Sequence, residues 1–268
     1  MRSMGSTTSL KTILRAFEVI RILDEEGEAQ PSDIAAKLGT SRATAHQYLV
    51  SLAKVGYVSQ NDGRYDISYR FLETGNQKKY RSWLFHAAIP ALMALHEETG
   101  ELSHLGVEED GEWVLLHRET DQRETGLSLY SGSRLPLHTH AAGKVILAEL
   151  PKERRDEILD EHELFASTDQ TITDADELRH RLRQVSQNGH AVDWNEETSG
   201  IGFVACPITI DGQVGSISVV ESATRLRREE YREYLVDELK AAADDIRDQY
   251  RRMAEHGPPQ PDSSSSRS

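Results

Sequence analysis

Residues 31–54 read PSDIAAKLGTSRATAHQYLVSLAK, a run that carries its own start, stop and restart signals. Pro31 sits where the first turn of a helix has no use for an N–H, so it opens a helix rather than breaking one. Gly39 ends that helix, because the cap position favours the left-handed backbone that glycine adopts freely. Thr40 and Ser41 then offer hydroxyls to cap the next helix, RATAHQYLVSLAKVG. Two short helices joined by a tight glycine-containing turn make a helix-turn-helix, whose second helix enters the major groove of DNA. Yet the chain has a formal charge of −14, and DNA is a polyanion. A DNA-reading motif in so acidic a chain requires the charge to lie elsewhere.

The charge is indeed uneven. Residues 1–75 hold 9 Lys and Arg against 9 Asp and Glu, whereas residues 76–268 hold 22 against 36. Two domains with different jobs are expected. Upstream of the motif, residues 10–25 place apolar side chains at 10, 13, 14, 17, 20 and 23, which predicts a helix with one buried face. Downstream, GYVSQ and RYDIS alternate on either side of NDG, a hairpin signal. Together these predict a winged helix-turn-helix over residues 9–69, preceded by a disordered arm, 1–8. Residues 70–86 are polar and helical without a strong apolar stripe, and read as a linker helix.

A second domain is expected over residues 87–255. A helix at 87–99 leads into ELSHLGVEEDGEWVLLHRE, a hairpin turning at EEDGE. LSLYSGSRLPLH is strand-like, and THAAGKVILAEL and ADELRHRLRQVSQNG are helical. IGFVACPITIDGQVGSISVVES gives another hairpin, and a long helix at 226–254 closes the domain. Helices around an antiparallel sheet make an α+β sensor-like domain. The Pro- and Ser-rich tail, 256–268, should be disordered.

Composition narrows the setting. The one cysteine, Cys206, excludes an internal disulfide and a multi-cysteine zinc site, which fits a reducing cytoplasm. No apolar run is long enough to span a membrane, and the N-terminus lacks the apolar core of a signal peptide. Of the basic residues 23 are Arg and 8 are Lys, against 45 acids. Acidic, lysine-poor composition of this kind suits a salt-rich cytoplasm, such as that of a halophilic archaeon.

Four stretches now resemble the IclR family of transcriptional regulators: SDIAAKLGTSRATAHQYLVSLAKVGYV with GRYDISYRFLETG, then PLHTHAAGKVILA, NGHAVDWNEETSGI, and ACPITIDGQVGSISVVESATRL. Their order and spacing cover residues 10 to about 250. The resemblance implies an α+β chain in which a winged helix-turn-helix is joined by a linker helix to a GAF-like α+β effector-binding domain. It implies a non-enzymatic, cofactor-free regulator of catabolic genes for sugars, sugar acids or aromatic acids. Its partners would be double-stranded operator DNA, a metabolite effector (an organic acid or sugar derivative) and further copies of itself, as a homodimer or dimer of dimers.

The candidate DNA-contacting residues follow from the motif. Leu49, Leu52 and part of Tyr48 should pack inward, leaving Ser41, Arg42, Thr44, Ala45, His46 and Gln47 toward the groove. Arg42 suits guanine or phosphate, Gln47 adenine, and Thr44 and Ala45 thymine methyls. Thr40 and Ser41, at the helix start, suit a phosphate, and Arg64 on the wing suits phosphate or the minor groove. The candidate effector site follows from the resemblance. Its loop and helix start correspond to Thr139, His140, Ala141 and Ala142, whose N–H groups would face an anion. Asp193 and Ser218 match its polar positions, with Leu127, Leu129 and Leu135 as walls. Phe203 stands where the family commonly has cysteine, Val220 where it has a second serine, and His140 replaces a small residue. Each has a plain structural alternative, from Ser218 satisfying the backbone to Lys144 pairing with an acid to hold its helix.

Two rival readings stay in view. His138 and His140 lie on one face of an extended segment and, with Cys206 or Asp193, would make a metal-binding sensor or enzyme. Acidity alone would also suit an interaction protein with a degenerate DNA-binding domain, although the neutral first 75 residues argue otherwise.

Overall fold

A computed structural model of the chain describes residues 10–120 and 129–256, and the chain divides into two units, Met1–Lys78 and Lys79–Ser268. The expected arm at 1–8, Leu127 and the expected tail beyond His256 lie outside the described residues.

In the first unit, α1 (Lys11–Glu26), α2 (Pro31–Leu38) and α3 (Arg42–Lys54) precede a hairpin of β1 (Val58–Asn61) and β2 (Arg64–Ile67), and α4 (Arg70–Lys79) follows. The punctuation works as its chemistry requires. Pro31 opens α2, where the Asp33 carboxylate accepts the Gln30 N–H at 2.9 Å. Gly39 takes φ +61°, and Ser41 caps α3 by accepting the Thr44 N–H at 3.1 Å. Asp62 and Gly63 turn the hairpin at φ 46° and 78°, the left-handed pair that matches strand twist. The core joins Val19, Ile22, Leu23, Ile34, Leu38, Ala45, Leu49, Val58 and Tyr65.

The face expected of α1 is corrected. Leu10, Ile13, Leu14 and Phe17 are 67, 52, 58 and 64% exposed, and the fully buried positions are Val19, Ile22 and Leu23. The short α2 and the hairpin cover only the second half of a four-turn helix. Apolar periodicity marks a face that will be buried, without saying by what.

The second unit is a six-stranded antiparallel sheet covered on both faces. Its strands are β3 (Leu102–Glu109), β4 (Glu112–Glu119), β5 (Arg134–Pro136), β6 (Ala191–Trp194), β7 (Ile201–Ile210) and β8 (Gln213–Ser222), in the order β5-β4-β3-β8-β7-β6. One face packs on α5 (Trp83–Thr99) and α10 (Glu229–His256) through Phe85, Leu92, Leu105, Val204, Ile217, Leu235 and Leu239. The other packs on α6 (Ala141–Glu149) and α8 (Ala175–Asn188) through Trp113, Val145, Leu178, Phe203 and Val220. Along β7 the period-two pleat sends Phe203 and Ala205 to the α6 side and Val204 and Cys206 to the other.

Three expectations change. The linker expected at 70–86 is α4 followed by a break, because Leu84 and Phe85 are buried in the second unit and α5 begins at Trp83. The closing helix is two pieces, α9 (Ala223–Leu226) and α10. The helix α7 (Lys152–Glu161) and the strand β6 were missed: α7 buries only Ile158, so it has no apolar stripe, and β6 has four residues.

Candidate functional site

Two sites emerge, one in each unit. On α3 the exposed side chains are Arg42, Ala43, His46, Gln47, Val50, Ser51 and Lys54, a continuous outer face at helical spacing. Among the described residues nothing engages the Arg42 guanidinium, while the His46 ring leans edge-on to Tyr65 of the hairpin at 6.3 Å. Ser41 and Thr44 are tied together, hydroxyl to hydroxyl, at 2.9 Å. The Thr40 N–H donates to the Ala35 carbonyl at 3.0 Å. Ala45 is a correction: it is 0% exposed in the helical core, so it cannot meet a base. Its place on the outer face belongs to Ala43 and Val50, which the sequence reading missed because the turn fixes the helix start but not its rotation. Arg64 is held by Glu28, Nε to carboxylate at 3.1 Å and Nη2 to carbonyl at 2.7 Å, so a phosphate contact there would compete with an existing pair.

The second site forms where α6 starts over the sheet. Gly143 makes the approach possible: a Cβ there would lie 2.3 Å from the Leu137 carbonyl oxygen. The N–H groups expected to await an anion are partly satisfied already. The Ala141 N–H donates to Asp193 Oδ2 at 2.5 Å, and the Gly143 N–H to His140 Nδ1 at 3.3 Å. The chain therefore supplies its own carboxylate to this helix terminus. Lys144, fully buried one turn in, is ion-paired with Glu196, the helix-holding alternative.

Around this point lie Phe203, whose ring centroid is 5.1 Å from that of His140, and Trp113, also at 5.1 Å. Ser218 is fully buried, Ala142 is inside α6, Leu129 is buried, and Leu135 packs at the cluster's margin. Thr139 uses its hydroxyl on the Pro136 carbonyl at 3.0 Å. His104 was missed. It sits at an inward position of β3, beside Leu105 and two residues from Leu102, and a histidine at such a position was the available signal. Burial pushes His104 down to about 3, aided by the nearby Arg118 charge, and holds His140 well below the usual imidazole range. Burial pushes the Asp193 carboxyl up to about 7 against the pull of Lys144.

The metal-site alternative does not assemble. His138 Nε2 meets the Phe165 carbonyl at 3.0 Å, while His140 turns to Gly143, Trp113 and Phe203. Cys206 is buried on the opposite sheet face, its thiol pushed up to about 12 by burial. Among the described residues no three His, Cys, Asp or Glu side chains converge as metal ligands would. No helix among them is long and apolar enough to cross a membrane.

A family model described as the IclR helix-turn-helix domain matches residues 12–62, and one described as the bacterial transcriptional regulator IclR C-terminal matches residues 80–248. The chain is 29% identical to a probable HTH-type transcriptional regulator ArcR of Halobacterium salinarum, over 85% of this chain and 89% of that protein. It is 32% identical to the glycerol operon regulatory protein of Streptomyces coelicolor, over 88% of this chain and 94% of that protein. The solved structure of the Thermotoga maritima IclR superposes with a TM-score of 0.75 at 30% identity, covering 90% of this chain and 99% of that one.

Proposed function

The chain belongs to the IclR family of transcriptional regulators, and from that premise we propose that it is a metabolite sensor controlling catabolic genes in a salt-rich cytoplasm. The observation that carries this reading is the pairing, in one chain, of an outward-facing α3 with a buried polar cluster under α6. Arg42, His46 and Gln47 read bases or phosphates, Ser41 and Thr40 flank the backbone at the helix start, and Arg64 serves a phosphate only by exchanging Glu28 for it. The cluster of His140, Asp193, Phe203 and Ser218 receives the effector, and the protein acts by binding rather than by catalysis.

A homodimer completes the DNA-binding unit. The exposed apolar face of Leu10, Ile13, Leu14 and Phe17 is the surface a second copy would bury, and two copies present two reading helices. The catabolic assignment is supported by the similarity to the Streptomyces regulator of a glycerol operon. A halophilic archaeal origin is supported by the acidic, lysine-poor composition and by the similarity to the Halobacterium regulator. At molar salt the Debye length is only about 3 Å, so acidic surface far from α3 repels the duplex little. Counterion release contributes less there, which leaves short-range base contacts to hold the complex.

A footprint of the purified protein on the DNA flanking its own gene tests this. The expected result is protection of two half-sites about one helical turn apart, retained in molar potassium chloride. No protection at any salt concentration would overturn the regulator reading, and protection lost at molar salt would overturn the salt-rich setting.

A further inference from the structure

Among the described residues, seven side chains of the second unit keep buried polar atoms with no protein partner, and four of them gather under α6. They are His104, at both ring nitrogens, His140 at Nε2, Asp193 at Oδ1 and Ser218 at Oγ. These residues are 1, 0, 3 and 0% exposed. Each such group is costly to a fold that gives it nothing to bond, and natural interiors hold few of them.

These four converge. His104 and Ser218 are register partners across β3 and β8, so they share a sheet face. Ala205 stands opposite Ser218 on β7, and Phe203, two residues along, stands opposite Asp193 on β6. The start of α6 roofs this patch, with His140 against Trp113 and Phe203, and the Ala141 N–H on Asp193.

Their chemistry is mixed. His140 accepts the Gly143 N–H at Nδ1, so its neutral ring carries the proton on Nε2 and is a donor. Neutral His104 brings one donor and one acceptor, the Ser218 hydroxyl serves as either, and Asp193 Oδ1 accepts when ionised and donates when it carries the proton. A hydroxyl group, which donates and accepts at one oxygen, matches such a set. A carboxylate only accepts, and the helix terminus that would take it already holds the carboxylate of Asp193. A second anion is repelled whenever Asp193 is ionised. Nearby cations are engaged: Lys144 by Glu196, and Arg118, the β4 register partner of His104, by the Leu129 carbonyl at 2.6 Å through Nη1. Among the described residues Arg118 Nε has no partner, which makes Arg118 the residue through which an acid would enter.

We propose that the effector is a small uncharged polyhydroxylated molecule, a polyol or neutral sugar, bonded by His104, Ser218, Asp193 and His140 with its carbon chain against Trp113 and Phe203. This rests on the assignment of the cluster as the effector site. It adds His104 as a ligand-binding residue, and it narrows the chemistry to hydroxyl recognition. The burial that pushes His104 down to about 3 keeps its imidazole neutral at physiological pH, so it offers no charge to an anion.

Thermal shift and calorimetry on the full chain test this with matched pairs: glycerol and glycerate, xylose and xylonate, glucitol and gluconate. The expected result is that a polyol or sugar raises the melting temperature, while its acid binds at least about tenfold more weakly, the effect of one unit of like-charge repulsion. His104→Leu should lose that shift while melting no lower than wild type without ligand, since it removes an unsatisfied buried group. Ser218→Ala, a smaller change, should weaken the same ligand. Acids that bind more tightly than their neutral partners, and that lose binding in Arg118→Gln, would overturn the hydroxyl chemistry and leave the effector site standing. A shift that survives both His104→Leu and Ser218→Ala, or no shift from either series, would overturn the chemistry and the site together.

Discussion

The outer face of α3 and the underside of α6 both present polar groups that the protein leaves unused, in opposite environments. On α3 these groups stand in water, where an unpaired guanidinium or amide costs nothing until DNA replaces the solvent. Under α6 they stand in the interior, where each unsatisfied group costs about 1–3 kcal/mol. The exposed set can be altered with no penalty to the fold, whereas the buried set is tied to stability. Changes to the exposed set should therefore leave the melt where it was, whereas changes to the buried set should move it, down where a pair is broken and up where an unsatisfied group is removed.

Several substitutions would break or sharpen that contrast. Lys144→Met leaves Glu196 without its buried partner and should destabilise the second unit by about 3–5 kcal/mol in a urea melt. The double change Lys144→Met with Glu196→Leu should recover much of the loss. If the single variant melts like wild type, the pair under α6 is not the structural element described. Arg42→Ala should show the reverse signature, weakening operator affinity by about 1–3 kcal/mol with an unchanged melt. An unaltered titration would remove Arg42 from the interface.

Two alanines on one helix test its rotation. Ala45→Leu should cost about 1–3 kcal/mol by overpacking the core, whereas Ala43→Leu, on the exposed face, should stay within about 0.5 kcal/mol. Equal effects would mean that α3 turns a different face to solvent.

A pH series probes the buried set alone. With its carboxyl raised to about 7 in the fold, Asp193 keeps a proton that the unfolded chain has already lost. Its contribution is greatest at the acid end of the range from about 4 to 7 and is lost as pH rises through the folded value, with a slope of up to about 1.4 kcal/mol per unit. His104, lowered to about 3, acts oppositely: its contribution is present above the ordinary histidine value and is lost as pH falls toward 3. The difference between wild type and Asp193→Asn isolates the first effect. Parallel stability curves for the two proteins would show that the carboxyl is not so raised.

How far the sequence reaches differs between the regions for the same physical reason. The helix-turn-helix and hairpins could be read because Pro31, Gly39, Ser41, Asp62 and Gly63 act on the backbone locally. Positions such as Asp193 and Ser218 came from family resemblance, because the contacts that matter join strands far apart in sequence, as Ala141 and Asp193 do. The exposed half of α1, the burial of Ala45, the charged α7 and the role of His104 all depend on what packs against what. Periodicity does not carry that information. The helix terminus expected to face an effector anion meets a carboxyl group of the protein itself, a contact between residues 52 positions apart that no local pattern announces.

Coupling between the two regions is tested most directly by operator titration, followed by fluorescence anisotropy, with and without the polyol or sugar that most raises the melting temperature. Reciprocity requires that the ligand change operator affinity by the same factor by which operator DNA changes ligand affinity. The expected result is a matched factor of at least about fivefold in wild type and none in His104→Leu. A ligand that binds the wild-type protein through this cluster and leaves operator affinity untouched would contradict a regulator built from these two sites.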